Sequence, residues 1–406
     1  MTEKPHVVFV DDEPRILDGL RRMLRRESSR WEMSFAAGAA EALAVMAARR
    51  CNVVVSDFRM PGMDGGELLS RVQTLYPTTA RVILSGQTGE KDVLRVIALA
   101  HQFLTKPAGR DQLVQTVDRL IAAQAATGDD SARRDVSMVD SLPSPSGVVM
   151  QLITELNAED ASAESVGAII EQDPAAAAKV LHLVNSSASM VGHVVTDVVQ
   201  AVALLGTHTV RGLVLMHDVV RSLDPEGVLP NGWIQNLTDH SVHTSRLARR
   251  LAGSAPWANE AFTAGLLHEV GQLVLASSRR DDYPGALSTW RDVKPAGAEA
   301  DPEVSPRLDE VERTLFGTCH SEAGANLLAL WGLPAAVVES VAGHAAPGTV
   351  SSVQDPAAAV AFAHRVVEAE LGDVCGSGGH GSDAFGEDLG EPEREAIERW
   401  RATLRQ

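Results

Sequence analysis

Short apolar runs alternate with amphipathic stretches of helical length over residues 5–122, and this alternation constrains the fold more than any other feature of the chain. Four runs are rich in β-branched residues and almost wholly apolar, namely 7–10, 53–55, 82–84 and 103–104, and a weaker run covers 33–36. Strands buried on both faces of a parallel sheet need such runs, and the helices between them supply the crossovers. The pattern predicts a doubly wound α/β domain with a five-stranded parallel sheet.

From residue 141 the hydrophobic pattern changes to helical spacing and keeps it for roughly 200 residues. Asp173 before Pro174 marks a helix start, and Gly253 and Gly332 follow predicted helix ends. A second, all-α domain is therefore predicted. We expect four segments: an α/β domain at 5–122, a linker at 123–140, the all-α domain at 141–371, and a Gly-rich flexible tail with a short terminal helix at 372–406.

The charge balance argues against negatively charged partners. The chain has 36 Lys and Arg against 54 Asp and Glu, a net charge of −18, so direct DNA binding is not expected. We find no signal peptide and no stretch of about 18 apolar residues, so membrane insertion is not expected either. The three cysteines lie far apart without C-x-x-C spacing, which is typical of a reducing compartment. We therefore expect a cytoplasmic protein.

Polar side chains follow four of the predicted strands at the point where each strand ends. Asp11 and Asp12 follow the first strand, Asp57 ends the third, and Ser85 and Lys106 follow the fourth and fifth. Because the carboxyl ends of parallel strands share one edge of the sheet, these groups should meet there. Two carboxylates 4 Å apart repel by about 4 kcal/mol at an effective dielectric near 20, so a divalent cation is required, and oxygen ligands suit Mg²⁺.

An acidic pocket of this kind suits phosphoryl transfer to a carboxylate. Asp57 would be the nucleophile and form an acyl phosphate, while Lys106 and the Ser85 hydroxyl would bind the other phosphate oxygens. The plainer interpretation is that the aspartates are only N-caps of the helices that follow the strands. The convergence of five polar groups on one edge favours the pocket.

The residues around these positions resemble the receiver domain of two-component response regulators, and the likeness covers residues 5–122. It rests on the motifs VDDE at 10–13, SDFRMPGMDG at 56–65, LSG at 84–86 and FLTKP at 103–107. The resemblance implies a flavodoxin-like fold, a bound Mg²⁺, and a sensor histidine kinase as the phosphodonor.

The resemblance also implies a role for each site residue. Asp57 is the phosphoacceptor, and Lys106 pairs with the phosphate. The implied Mg²⁺ ligands are Asp11, Asp12, Asp57 and the carbonyl of Arg59. Ser85 and Phe103 form a switch pair, in which the hydroxyl moves toward the phosphate and the ring turns inward behind it. Phenylalanine stands where tyrosine is commoner, which removes a phenolic hydrogen bond but keeps the rotamer switch.

Histidines recur along the predicted helices of the second domain: His240, His268, His320, His344 and His364, with Glu269 next to His268. Imidazoles and a carboxylate from separate helices could bind a transition metal and activate water for phosphate-ester hydrolysis. The apolar pattern places the His268-Glu269 pair inside one helix over 262–276, and His320 begins another helix.

These positions resemble the HD superfamily of metal phosphohydrolases, and residues 142–371 resemble more specifically an HDOD domain. The signatures are LPSP at 142–145, QDP at 172–174 leading to LVNS at 183–186, and QAVALLG at 200–206. HDOD domains are mostly regarded as regulatory or interaction modules. The resemblance therefore implies a protein partner for this domain rather than a reaction.

The chain departs from the phosphohydrolase pattern at three positions. Glu269 replaces the aspartate of the His-Asp pair, His364 stands where a later metal-binding aspartate belongs, and Gln272 replaces a lysine. Glutamate is one methylene longer, whereas metal–ligand distances must hold to within about 0.2 Å. Losing carboxylates also removes charge that would offset two divalent cations. We expect a degenerate site without a transition metal, although a single structural metal stays open.

Together these features predict a cytoplasmic response regulator in which phosphorylation of Asp57 controls a non-catalytic HDOD domain. Its partners would be a sensor histidine kinase and an unidentified protein bound by the HDOD domain, and a homodimer is compatible with the sequence. Two alternatives stay open. One is a receiver-gated, metal-dependent phosphodiesterase that acts on cyclic dinucleotides or other phosphodiesters through the histidines. The other is a scaffold whose receiver serves only as a dimerisation surface.

Overall fold

A computed structural model of the 406-residue chain describes residues 4–85, 99–126, 152, 155, 162–186, 194–206, 210, 232–293, 307–346, 353–371 and 391–404. The chain divides into two compact units, one built on Met1–Asp140 and the other on most of the residues that follow. The predicted helix at 90–100, the linker after residue 126, the LPSP segment and the Gly-rich part of the tail lie largely or wholly outside the described residues.

The first unit contains a five-stranded sheet with the spatial order β2-β1-β3-β4-β5, in which every neighbouring pair is parallel. The strands are β1 (His6–Val10), β2 (Glu32–Ala36), β3 (Val53–Asp57), β4 (Ala80–Ser85) and β5 (Gln102–Thr105). Every residue of β1 and β3 is buried, as the almost wholly apolar runs predict. The predicted doubly wound α/β fold is confirmed.

Helices connect these strands and cover the faces of the sheet. The described ones are α1 (Pro14–Met23), α2 (Ala39–Ala48), α3 (Gly65–Leu75) and α4 (Arg110–Ala126), with a 3₁₀ turn at Arg25–Ser29. Helix α1 begins with Pro14, which suits a first helical position because the missing N–H would have no partner there. Leu17 and Leu20 of α1 are buried, as are Leu68 and Leu69 of α3, and the two α3 leucines belong to the core that includes Val8, Val10 and Val54 of the sheet.

The second unit is helical in all its described elements, which confirms the predicted all-α domain. Its helices are α5 (Ala163–Ile170), α6 (Pro174–Ser186), α7 (Val198–Leu205), α8 (Trp233–Ala252), α9 (Ala258–Leu267), α10 (Val270–Ser278), α11 (Tyr283–Val293), α12 (Leu308–Phe316), α13 (His320–Leu330), α14 (Ala335–Gly343), α15 (Pro356–Leu371) and α16 (Glu391–Leu404). Helix α8 packs against α9, α15 and α16. Within the described residues, none of the helices has the length and apolar character needed to cross a membrane.

The prediction of one continuous helix over 262–276 is wrong, because the helix is interrupted by a turn at His268 and Glu269. Helix α9 ends at Leu267, and α10 begins at Val270. Glu269 has φ −96° and ψ 5°, outside the α-helical range. The side chains of His268 and Glu269 therefore do not project at the angles that a continuous helix would give them. Apolar residues on both sides mask the break, since α9 and α10 are buried almost throughout.

Glycine allows α10 to approach α13 closely. A Cβ atom at Gly271 would lie 1.8 Å from the carbonyl oxygen of His320 and 2.7 Å from the backbone nitrogen of Gly324, both in α13. No side chain could occupy that space. Two glycines therefore bring the first turns of both helices together, and with them Glu269 and His320.

Candidate functional site

The first candidate site lies at the carboxyl ends of the strands in the first unit. Lys106, just after β5, donates from Nζ to Asp11 Oδ2 at 2.6 Å and to Asp57 Oδ1 at 2.5 Å. Asp11 follows β1, and Asp57 is the last residue of β3. The structure thus brings together three residues that the sequence analysis assigns to one pocket. Asp12 follows Asp11 in the chain and is half-buried.

The site buries two carboxylates and one ammonium group. Asp11 is 2% exposed and Asp57 is 8% exposed, so both carboxylates are largely removed from water. Burial alone would lower the pKa of Lys106, but its hydrogen bonds with Asp11 and Asp57 and their charges raise it. The ammonium group stays protonated and offsets one of the two carboxylates. One ammonium group thus faces two carboxylates, so the site as it stands has an excess of negative charge.

Backbone N–H groups hold both carboxylates in place. Glu13 N donates to Asp11 Oδ1 at 2.9 Å, and Arg59 N donates to Asp57 Oδ2 at 3.0 Å. The loop after β3 packs tightly, because a Cβ atom at Gly65 would lie 2.1 Å from the carbonyl oxygen of Asp57. The ligand atoms that this site offers to a metal are therefore carboxylate oxygens of Asp11 and Asp57. Such oxygens fit a hard divalent cation such as Mg²⁺.

For the two predicted switch residues, Ser85 and Phe103, the structure describes the backbone alone. Ser85 is the last residue of β4 and pairs with Thr105, while Phe103 of β5 pairs with Ile83. The side chains of Ser85 and Phe103 lie outside the described part of the structure. Their strand positions agree with the pattern that motivated the switch hypothesis, and their roles stay predictions.

A second candidate site is a buried cluster of histidines in the helical unit. His240 of α8, His268 after α9 and His364 of α15 meet with their ring nitrogens at the corners of a triangle. The separations are 3.2 Å from His240 Nε2 to His268 Nε2, and 3.0 Å from each of these atoms to His364 Nδ1. All three side chains are at most 1% exposed.

At least one lone pair points into this triangle, and two of its three rings are neutral. Burial lowers the pKa of His268 and of His364 well below the usual value, so both rings are uncharged. His268 Nδ1 lies 2.7 Å from the carbonyl oxygen of Gly265, which can only accept a hydrogen bond. The proton therefore sits on Nδ1, and the Nε2 lone pair of His268 faces the other two histidines.

The remaining predicted histidines adjoin this triangle through Glu269. One oxygen, Glu269 Oε1, is 3.4 Å from His268 Nε2 and 3.5 Å from His344 Nε2, and the other, Oε2, is 3.5 Å from His320 Nε2. The His344 ring uses Nδ1 to donate to Val341 O at 2.7 Å. All six histidine and glutamate residues singled out from the sequence thus lie in one buried cluster.

Two acidic residues that the sequence analysis missed hold His320. Its Nδ1 is 2.7 Å from Glu312 Oε2 and 3.1 Å from Asp309 Oδ1, and Glu312 also accepts from the hydroxyl of Tyr283 at 2.9 Å. Burial alone would lower the pKa of His320, but the charges of Glu312, Asp309 and Glu269 raise it to about 10. A usable signal was present, because two acids three residues apart share a helix face with Leu308 and other apolar residues.

Glu269 is a carboxylate despite its burial. Burial by itself would raise its pKa, but the positive charge of His320 and the neighbouring imidazoles lower the pKa well below the usual value. Gln272 donates from Nε2 to Glu269 Oε2 at 2.8 Å and thus fills the place of the expected lysine with a neutral donor. The cluster offers three imidazole nitrogens with a carboxylate beside them, a donor set that suits transition metals with nitrogen and oxygen ligands.

Two families match separate parts of the chain. The HDOD domain family matches residues 142–347, and the response regulator receiver domain family matches residues 7–118. The HDOD match includes His240, His268, His320 and His344. His364, the third member of the triangle, lies beyond the end of the match. The receiver match contains the whole strand-end cluster.

Several characterised and uncharacterised proteins are similar to this chain. The hydrogenase transcriptional regulatory protein HoxA of Cupriavidus necator is 34% identical over 139 residues, which cover 34% of this chain and 28% of HoxA. The transcriptional regulatory protein GlrR of Escherichia coli is 32% identical over 138 residues, which cover 34% of this chain and 31% of GlrR. The matched part therefore spans less than a third of the length of these two curated relatives.

A longer match extends into the helical unit. An uncharacterized protein of Treponema pallidum is 23% identical over 286 residues, which cover 68% of this chain and 50% of that protein. Among solved structures, the MmoQ response regulator of Methylococcus capsulatus matches with 24% identity and a TM-score of 0.51, covering 65% of this chain and 99% of that structure. This structural likeness concerns the fold.

Proposed function

This chain belongs to the HDOD domain family and is a two-component response regulator with an N-terminal receiver domain, and from that premise we propose that Asp57 accepts a phosphoryl group from a sensor histidine kinase. In the transfer, an Asp57 carboxylate oxygen forms a bond to phosphorus while the bond between phosphorus and the kinase histidine breaks. The product is an aspartyl phosphate, and the kinase imidazole recovers its nitrogen lone pair.

One observation carries this proposal, the bridge that Lys106 forms between Asp11 and Asp57. An ammonium group within hydrogen-bond distance of the acceptor carboxylate is placed to bind an oxygen of the incoming phosphoryl group. Asp11, Asp12, Asp57 and the carbonyl of Arg59 would hold Mg²⁺. When bound, the cation neutralises charge that develops on the phosphoryl oxygens.

The phosphate would act on the HDOD domain through a conformational equilibrium. Shifting such an equilibrium from 1:99 to 99:1 requires about 5.5 kcal/mol of differential stabilisation, which a few charge-assisted hydrogen bonds can supply. We propose that Ser85 and Phe103 form the switch, that the segment 123–140 links the two domains, and that the HDOD domain of residues 141–371 binds a protein partner in the cytoplasm. The Phe103→Ala variant should then accept phosphate at Asp57 but lose control of partner binding.

Incubation of the full chain with acetyl phosphate and Mg²⁺ tests the phosphoacceptor directly. Intact-mass analysis should show the gain of one phosphoryl group, and peptide mapping should place it on Asp57. The Asp57→Asn variant should gain nothing, while Asp111→Asn, which removes an exposed carboxylate of α4, should behave like the wild type. Absence of the mass gain in the wild type, or its persistence in Asp57→Asn, would refute the proposal.

A second function is favoured by the triangle of imidazole nitrogens. Zinc–nitrogen bonds of about 2.0 to 2.1 Å in a tetrahedral site separate ligand nitrogens by about 3.3 Å, close to the separations of 3.0 to 3.2 Å between His240, His268 and His364. Of the substitutions that led us to expect no transition metal, Glu269 keeps a carboxylate and His364 replaces one by an imidazole. The residues therefore fit a single metal ion, which would activate water for phosphodiester hydrolysis.

Metal analysis separates this second function from a purely regulatory HDOD domain. The full chain, expressed with Zn²⁺, Mn²⁺ or Fe²⁺, should retain one equivalent of metal through gel filtration if the triangle binds it. Turnover of a cyclic dinucleotide that His268→Ala abolishes would establish the phosphodiesterase. Retained metal without turnover would mean a structural metal site, and metal-free protein would leave the histidines as packing residues.

A further inference from the structure

An open cleft of about 670 Å³ lies on the helical unit, away from the histidine cluster. Its lining comes from the end of α5, the last turns of α8 and the start of α9, and comprises Ala168, Glu171, Gln172, Arg246, Arg249, Arg250, Gly253 and Phe262. Cavities of roughly 300 to 1,000 Å³ are the usual size for small-molecule sites. The proposed response-regulator function uses none of these residues.

Three arginines form one wall of the cleft. Arg246, Arg249 and Arg250 are spaced i, i+3 and i+4 on α8, so they share one face of the helix and project in the same direction. All three are exposed at the cleft. In the parts of the chain that the structure describes, no carboxylate lies within ion-pair distance of these guanidinium groups.

This arrangement is unfavourable for the free protein. Like charges four residues apart on a helix repel each other, whereas an acidic residue three or four positions away would stabilise an arginine. The chain has an excess of acidic residues, with a net charge of −18, and elsewhere Arg71 pairs with Glu67 and Arg399 with Glu395 in this way. A cluster of three arginines without an ion-pair partner among the described residues is a site that an anion would stabilise.

One of the guanidinium groups lies over an aromatic ring. The guanidinium carbon of Arg249 lies 5.4 Å from the centre of the Phe262 ring, within the range of a cation–π contact. The ring is buried, so it anchors the side chain and reduces the entropy that Arg249 loses on binding. A planar guanidinium held in this way can donate two parallel hydrogen bonds to phosphate.

A polar group faces the arginines from the other wall. Glu171 caps the end of α5 and is half-buried; burial and the charge of Asp197 raise its pKa, although Arg249 and Arg246 act in the opposite direction. Glu171 and Gln172 are suited to accept hydrogen bonds from hydroxyl or amino groups. The cleft therefore combines an anion-binding wall with an acceptor-bearing wall.

We propose that this cleft binds an organic phosphate of nucleotide size, with the phosphate on Arg246, Arg249 and Arg250 and the remainder of the molecule against Glu171 and Gln172. A long polyanion such as nucleic acid would experience the repulsion of the whole acidic chain, whereas a small molecule within the cleft experiences mainly the nearby arginines. An acidic peptide is the competing occupant, and it would need no acceptor groups on the opposite wall.

Isothermal titration of the full chain, in buffer without divalent cations, tests the proposal with adenosine 5′-monophosphate, adenosine, inorganic phosphate and a Glu-rich peptide as probes. The monophosphate should bind saturably at one site and more tightly than inorganic phosphate, and adenosine should not bind. Arg249→Gln should weaken binding by roughly tenfold, the value of one charge-assisted hydrogen bond. Glu171→Gln should strengthen binding, because it removes a negative charge near the phosphate.

Arg280→Gln is the matched control, since it removes an exposed arginine of the same unit outside the cleft. It should bind like the wild type. The proposal fails if the wild type binds neither phosphate probe, if Arg249→Gln and Arg280→Gln behave alike, or if only the Glu-rich peptide binds. Binding of the monophosphate no tighter than inorganic phosphate would contradict an organic ligand and leave a simple anion site.

Discussion

His268 donates from Nδ1 to the carbonyl oxygen of Gly265 at 2.7 Å, and this single contact sets the direction of the lone pair on the other ring nitrogen. Gly265 lies in the last turn of α9, where a Cβ atom would come within 2.8 Å of the Cα of Ser245 in α8. Close packing of α8 and α9 thus fixes both the ring and its tautomer. The chemistry available to the histidine cluster follows from this backbone contact.

Metal binding should depend on His240 and not on its neighbour His243. After treatment with a chelator, addition of Zn²⁺ at about 100 times its dissociation constant should stabilise the wild type by about 2.7 kcal/mol. His240→Gln should lose this increment because it removes a corner of the triangle. His243 lies on the same helix, half-buried and outside the triangle, so His243→Gln should keep it. Thermal unfolding of the three proteins with and without Zn²⁺ provides the measurement.

Removing the ammonium of Lys106 should expose the repulsion between Asp11 and Asp57. We expect Lys106→Met to lower the free energy of unfolding by about 2 kcal/mol, less than the loss typical of a fully buried pair, because the lysine side chain is 23% exposed. Mg²⁺ should restore much of the loss by replacing the missing positive charge. Urea unfolding with and without Mg²⁺ measures both effects.

A double variant provides the control for that prediction. Lys106→Met combined with Asp11→Asn removes one of the two opposing carboxylates, so it should be more stable than Lys106→Met alone. Equal stability of the single and double variants would show that the carboxylates do not repel across the site.

Stability of the helical unit should fall at alkaline pH because of His320. The pKa of His320 is about 10 in the folded protein, above the ordinary value of 6.5, so folding favours the protonated ring. The resulting stabilisation is complete below about pH 6.5 and is lost as the pH rises toward 10. Urea unfolding at intervals over this window should show a steady decline in the wild type, and His320→Gln should flatten it. A wild-type profile that stays level would contradict a charged His320.

Glycine at position 65 should be essential for the phosphoacceptor loop. A Cβ atom there would lie 2.1 Å from the carbonyl oxygen of Asp57 and 2.9 Å from the Cα of Phe58, so Gly65→Ala must displace the backbone next to Asp57. We expect a loss of about 2 kcal/mol or more in stability, together with slower phosphorylation by acetyl phosphate. Gly19 in α1 has no atom within 4 Å of its Cβ position, and Gly19→Ala should stabilise the protein by about 0.5 to 1 kcal/mol.

Much of the first site was predictable because parallel strands have simple geometry. Val7 to Val10 and Val53 to Val55 are apolar on both faces, which identified them as central strands, and the residues after such strands must share an edge of the sheet. The proximity of Asp11, Asp57 and Lys106 follows from that topology. The hydrogen bonds that orient the carboxylates do not, because they depend on the path of each loop.

The second site shows where sequence reasoning stops. Helical spacing identified an all-α domain, and the residue types named the histidines and Glu269 as one candidate group. The break at Glu269 was hidden because apolar residues continue on both sides of it, and Asp309 and Glu312 were missed because isolated acids on a helix are usually exposed.

The local patterns of the sequence alone determined the two fold classes and the identity of the polar groups, because strand and helix preferences arise from neighbouring residues. Only the tertiary structure decided which of those groups touch. His240, His268 and His364 are separated by 28 and 96 residues along the chain, and their nitrogens meet within 3.2 Å only because the packing of α8, α9 and α15 sets those distances. Burial in that packing then decides which rings are charged and which are neutral.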